Sequence, residues 1–253
     1  MKFRTLLAIA TAAFFTPQFL GAAEPETAAP KIDTARETRT IEGWTVHISK
    51  SLLATNAAQT ARMLDLLEGQ LRGIVRVVPA PAVAELKKVP LWVSPEYPGT
   101  KPRAEFHPDA GWLRANGRDP AMVRGVEFTD VRNFERELVR MPVVVLHELA
   151  HAYHHRVLGF DNKEIKAAYD RAKASGKYDK VERWFGNGRP NTFERAYAMT
   201  TPQEYFAENT EAYFGRNDFF PFNREELKKH DPDIYAIIEK VWGVTPASTA
   251  PAQ

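Results

Sequence analysis

The chain has 253 residues, 44% of them hydrophobic and 26% charged, with only 14 Gly. This composition describes a globular chain and excludes fibrous and disordered classes. No Cys is present, so disulfides, thiolate metal sites and a cysteine nucleophile are excluded. The formal charge of +2 falls to balance if Lys2 and Arg4 are removed with the N-terminal segment. Such a surface lacks the basic footprint of a general nucleic-acid or anionic-membrane binder, and neither partner is expected. A chain of this size removes roughly 70–75% of its unfolded surface from water. It can fold without a metal staple, so any metal is expected to serve chemistry.

In chain order, Lys2 and Arg4 precede an apolar run, Leu6 to Phe15, and the small residues Gly21-Ala22-Ala23. This reads as a signal peptide over 1–23, and a secreted or periplasmic location is expected. The run is too short to span a bilayer, and no later stretch approaches about 18 uninterrupted apolar residues. No stable membrane insertion is therefore expected after cleavage. Residues 24–40 are rich in Ala, Pro, Thr and charge and read as a flexible leader. One domain is expected over 41–244, and the Ala/Pro/Ser tail over 245–253 is expected to be disordered.

Within the domain, Trp44-Thr45-Val46-His47-Ile48 alternates with the period of a half-buried strand. From Asn56 to about Val78 the apolar residues Ala57, Ala61, Met63, Leu64, Leu67, Leu71, Ile74, Val75 and Val78 recur mostly at helical spacings, and Pro79 and Pro81 end the segment. Leu91-Trp92-Val93 is a short strand. Three more short strands are expected at Ala104 to His107, Gly111 to Arg114 and Gly125 to Phe128, separated by turn signals. The second half is helical. Segments run from Pro142 to about Leu158, from Asp161 to Ser175, from Pro202 to about Phe214 and from Pro232 to Trp242. A hairpin is expected between Tyr178–Phe185 and Thr192–Ala198. Lys228-Lys229-His230 reads as a solvated turn, and the five Trp residues as core or rim packing.

His147-Glu148-Leu149-Ala150-His151 carries the H-E-x-x-H pattern within an independently predicted helix. Two histidines four residues apart lie on one face, where both imidazoles can meet one Zn²⁺ at about 2.0–2.1 Å. Glu148 stands about 100° around the helix and can reach a water beside that ion. The preceding Val143-Val144-Val145-Leu146 marks the helix as buried, where unpaired imidazoles are costly.

Catalytic zinc usually takes three protein ligands, so a third is required. A His ten residues after His147 is ruled out, because that position is Val157. His154 lies about 10 Å along the axis from His147; for it and His155 solvent exposure or support of the ligands is expected. On the next predicted helix Glu204, Glu208 and Glu211 share one face at i, i+4 and i+7. Three stacked acids need a positive partner, which zinc or a carboxylate-oriented histidine supplies. Glu204 also reads as the acidic member of a capping box begun by Thr201.

With Tyr197 and the string Glu204-Tyr205-Phe206-Ala207-Glu208, the chain resembles the lethal-factor-like zinc peptidases, gluzincins that also include secreted proline-specific endopeptidases. In that family a Tyr stands seven residues before the ligand Glu, and an acid follows four after it. The resemblance covers about Pro142 to Phe214, and the interval between His151 and Glu204 slightly exceeds the family's usual gap. It implies an α+β, zincin-like fold: a small mixed sheet with an active-site helix, followed by a mainly helical C-terminal half. It further implies His147, His151 and Glu204 as ligands of one zinc ion per chain, and Glu148 as general base. Tyr197 is implied as transition-state stabiliser, Glu208 as the acid behind the ligands, and a polypeptide as substrate. Such a substrate is expected to pair with an edge strand, Val126 to Phe128. The competing reading is a secreted binding protein that keeps the fold without catalysis, against which an intact Glu148 argues.

Overall fold

The computed structural model describes residues 33–244. The expected signal peptide, the first part of the expected leader and the expected tail lie outside the described residues. Regular structure begins inside the remainder of that leader: β1 (Arg36–Ile41) pairs antiparallel with β2 (Trp44–Ser49). The turn between them places Glu42 and Gly43 at φ of 49° and 89°. Polar alternation hid β1, because its side chains are exposed except at its two ends.

Ser49 accepts the Leu52 backbone N–H and starts α1 (Lys50–Thr55), which leads into α2 (Ala57–Val77). On α2, Met63, Leu64, Leu67, Leu71 and Ile74 are buried at spacings of one, three and four, the stripe expected from the sequence. Each fully buried Leu contributes about 1.5–3 kcal/mol. The chain continues through α3 (Ala80–Leu86), β3 (Leu91–Val93) and β4 (Ala104–Phe106). Next comes α4 (Ala110–Ala115), where a strand was expected. Asp109 accepts the Trp112 N–H at 2.6 Å and caps this helix, and Leu113 packs with Trp92 and Met122 in a small satellite core. Capping chemistry thus overrides the β-favouring Trp112.

After β5 (Val126–Phe128) and α5 (Phe134–Arg140), the sheet order is β1-β2-β3-β5-β4. The pairs β2–β3 and β3–β5 are parallel, while β1–β2 and β4–β5 are antiparallel. The expectation that Val126–Phe128 forms an edge is therefore corrected. β5 lies between β3 and β4, and β4 is the free edge on that side.

The motif helix is α6 (Val144–Tyr153), and all ten of its residues are buried. Over His154–Leu158 it widens into a π-turn that ends at Gly159, whose φ of 79° favours glycine. Asn162 caps α7 (Lys163–Ser175) by accepting the N–H groups of Glu164 and Ile165. The expected hairpin is present as β6 (Val181–Arg183) and β7 (Thr192–Glu194). Then follow α8 (Pro202–Phe214), α9 (Arg224–His230) and α10 (Pro232–Trp242). Lys228-Lys229-His230 forms the last turn of α9 rather than a free turn.

α8 packs along α6, and one close approach makes this possible. A Cβ at Gly215 would lie 2.7 Å from Cγ1 of Val143, just before α6. Buried Asp231 ties α8 to the start of α10 by accepting from Tyr205 Oη at 2.6 Å and from Tyr178 Oη at 3.2 Å. Trp242 stacks on Tyr153 and on Phe206, closing the core between α6, α8 and α10. The mixed sheet with its adjoining helix, followed by a largely helical half, matches zincin-like architecture. Among the described residues no helix is long and apolar enough to cross a membrane.

Candidate metal centre

On α6 the side chains of His147 and His151 project from consecutive turns, with their Nε2 atoms 3.1 Å apart and their rings edge to face. Opposite them Thr201 accepts the backbone N–H of Glu204 at 3.1 Å and fixes the first turn of α8. The capping-box alternative for Glu204 is thereby half realised. Its backbone is capped, but its carboxylate turns to the histidines, with Oε2 3.1 Å from His147 Nε2 and 3.3 Å from His151 Nε2.

Three donors at these separations form one triangle. A tetrahedral ion with bonds of about 2.0–2.1 Å holds its donors about 3.3–3.4 Å apart. The observed triangle is therefore close to a face of such a tetrahedron, and its two nitrogens and one oxygen are a donor set that zinc accepts. The cluster is suited to holding a single Zn²⁺ ion.

The electrostatics agree with this fit. Burial opposes charge on His147, yet hydrogen bonds to the Glu204 and Glu211 carboxylates hold the imidazole protonated well above its ordinary range. Burial likewise opposes ionisation of Glu204, but the hydrogen bonds from His147 and His151 hold its carboxyl far below the usual carboxylate range. The cluster thus favours positive charge on the His147 imidazole, and a metal ion can take the place of that proton.

Behind the triangle the three acids of α8 take different positions. Glu211 Oε1 lies 2.6 Å from His147 Nδ1, while Glu208 Oε1 stands at 3.9 Å, beyond hydrogen-bond reach. These two acids and His147 form a second group of potential ligands in the same buried cluster. Burial first, with Asp218 adding to it, raises the pKa of both carboxyls, that of Glu208 well above its ordinary value, while the bond from His147 opposes the rise at Glu211. Asp218 is itself paired with Arg140 at 3.1 Å and Arg183 at 3.5 Å. Neither Asp218, on a loop, nor the two arginines, at the ends of α5 and β6, stood out in the sequence, because their meeting depends on tertiary packing.

Glu148 lines a cleft of about 780 Å³ together with His147, His151 and Glu204. Its Oε2 accepts the backbone N–H of Phe106 on β4 at 2.9 Å. Just beyond the ends of the β4–β5 ladder, Arg103 accepts the Thr129 N–H and His107 donates its N–H to the Gly125 carbonyl, so by alternation the polar backbone groups of Ala104 and Phe106 point outward along the free edge. Tyr197 opens the short helical turn Tyr197–Met199, is 48% exposed and lines the same cleft. Burial and the nearby Glu204 carboxylate raise its pKa, which keeps the phenol protonated as a donor.

His154 and His155 do not join the cluster. His154 is fully buried against Phe160 and Phe206, and neither of its ring nitrogens has a hydrogen-bond partner.

The buried His-His-Glu cluster with its backing glutamates is consistent with a gluzincin-type zinc-peptidase site. No protein-family model, no curated protein and no solved structure matches this chain. The assignment of class therefore rests on the residues and their geometry.

Proposed function

We propose that the protein is an exported zinc-dependent peptidase that hydrolyses polypeptide substrates with water. The observation that carries this reading is the triangle of His147, His151 and Glu204 at one wall of a cleft that also holds Glu148 and Tyr197. His147, His151 and Glu204 hold the ion. Zinc bound there supplies the Lewis acidity that makes water nucleophilic near neutral pH.

The chain's own groups perform the remaining work. Glu148 takes the proton of the attacking water and passes it to the leaving amine. A carboxylate alternating between those two tasks needs a fixed orientation, and the Phe106 N–H supports it through one oxygen. Tyr197 donates its phenolic hydrogen bond to the oxyanion that develops on the scissile carbonyl. Glu208 belongs to the acidic support behind the ligands. An extended substrate pairs with the outward backbone groups of β4, in the manner of an added strand. Because the Phe106 N–H is engaged by Glu148, the Ala104 N–H and C=O remain for that pairing. The signal-like N-terminus supports export as part of the same reading.

Cleavage profiling of a peptide library tests the proposal. Hydrolysis that disappears with a zinc chelator and returns with added zinc is expected. Cleavage indifferent to the chelator would contradict it, and zinc binding with no cleavage of any peptide would favour a binding protein on the same fold.

A further inference from the structure

We propose that Glu211, rather than Glu208, is the positioning residue that orients His147 toward the metal. The inference rests on the zinc-centre reading and deepens it.

An imidazole that binds a metal through Nε2 must present the lone pair of that nitrogen, which requires the proton to sit on Nδ1. The group that accepts the Nδ1 proton fixes both the tautomer and the ring plane. In this chain the Nδ1 partner is Glu211, whose Oε1 lies at 2.6 Å. The distance is just below the range of about 2.7–2.9 Å for a charge-assisted N–H···O bond, so this oxygen is in direct contact with Nδ1. Glu208 Oε1, at 3.9 Å, cannot accept that proton directly.

The geometry of α8 explains how two acids address one ring. Glu204 and Glu211 are seven residues apart, about two turns or roughly 10 Å along the axis. The helix runs across the imidazole, so the acid at the near end meets Nε2 and the acid two turns on meets Nδ1. Glu208, one turn between them, stays 3.9 Å from Nδ1. Both Glu211 and the His147 ring are buried, at 0% and 3% exposure. Water therefore does not compete for Nδ1, and the tautomer is set by the carboxylate alone.

Zinc affinity of the intact chain separates this role from a structural one. Metal-free protein is titrated with zinc against a chromophoric competitor, comparing the parent chain with Glu211→Gln and Glu208→Gln. Loss of a carboxylate that supports a ligating histidine typically weakens metal binding about 10–100-fold. That loss is expected for Glu211→Gln, with a clearly smaller one for Glu208→Gln. A glutamate that only holds the fold together would shift thermal unfolding of the metal-free chain while leaving zinc affinity unchanged, and that result overturns the proposal. So does a larger loss for Glu208→Gln.

Should Glu211→Gln not fold, long-range ¹H–¹⁵N correlation on the zinc-loaded parent chain decides. A proton on His147 Nδ1 with Nε2 bare is expected, and zinc on Nδ1 or a bare Nδ1 overturns the proposal. If the parent chain binds no zinc, the metal-centre reading fails with it. If the parent binds zinc and Glu211→Gln binds it equally, the positioning role alone fails.

Discussion

Phe106 donates its backbone N–H to Oε2 of Glu148 at 2.9 Å, so the edge strand and the H-E-x-x-H helix are joined at the acidic residue between the two histidines. One carboxylate oxygen is committed to the strand and the other is left for water. Glu148→Gln keeps an acceptor for Phe106 but cannot take a proton. The variant is expected to retain zinc and to lose hydrolysis by about 10²–10⁴-fold, the usual worth of a positioned base. Elemental analysis and peptide turnover check this together, and unchanged cleavage would remove Glu148 from the chemistry.

Tyr197 offers a donor without taking part in the triangle. Tyr197→Phe removes the proposed oxyanion donor and leaves the cleft's shape intact. The expected outcome is a fall of about 10²–10³-fold in kcat with little change in KM. A change confined to KM would assign Tyr197 to substrate binding instead.

Much of this centre was legible in the sequence, for physical reasons that differ from residue to residue. His147 and His151 announce themselves because helical spacing alone makes them neighbours. Glu204 is harder, because capping and ligation both select an acid three residues after Thr201, and only the direction of its side chain separates them. Glu211 shared the acidic face of α8, but its contact with Nδ1 depends on how α8 crosses α6, a tertiary relation that no local pattern encodes. α4 illustrates the same limit in the fold. Trp112 favours a strand by propensity, whereas the Asp109 cap and the small core around Met122 make a helix. The place of β5 inside the sheet was equally hidden, because strand order is set by crossovers rather than by the strand's own residues.

His154 gives a pH signature. Burial, then the neighbouring His151 and His155, lower its pKa from 6.5 to about 4. The unfolded chain therefore takes up this proton first. The resulting contribution to stability is complete above pH 6.5 and is lost as pH falls toward 4, by about 3 kcal/mol at most. Metal-free His154→Leu is expected to show a flatter decline of unfolding temperature between pH 6.5 and 4 than the metal-free parent. Parallel curves for the two would contradict the burial of a neutral imidazole.

The contact between Gly215 and Val143 sets how closely α8 approaches α6. Gly215→Ala places a methyl 2.7 Å from Val143 Cγ1, an overpacking expected to cost about 1–3 kcal/mol. Adding Val143→Ala should recover part of the loss. Denaturant unfolding of the single and double variants measures the coupling, and strict additivity would show that the two sites do not touch.

The most direct measurement is zinc K-edge absorption on chain reconstituted with zinc, compared with its Glu204→Ala variant. The expected result is one bound ion with two imidazole nitrogens and one carboxylate oxygen at about 2.0–2.1 Å, and loss of that oxygen or of the ion itself in the variant. Binding of less than about half an equivalent, or a coordination shell that Glu204→Ala leaves unaltered, would contradict a centre built from His147, His151 and Glu204.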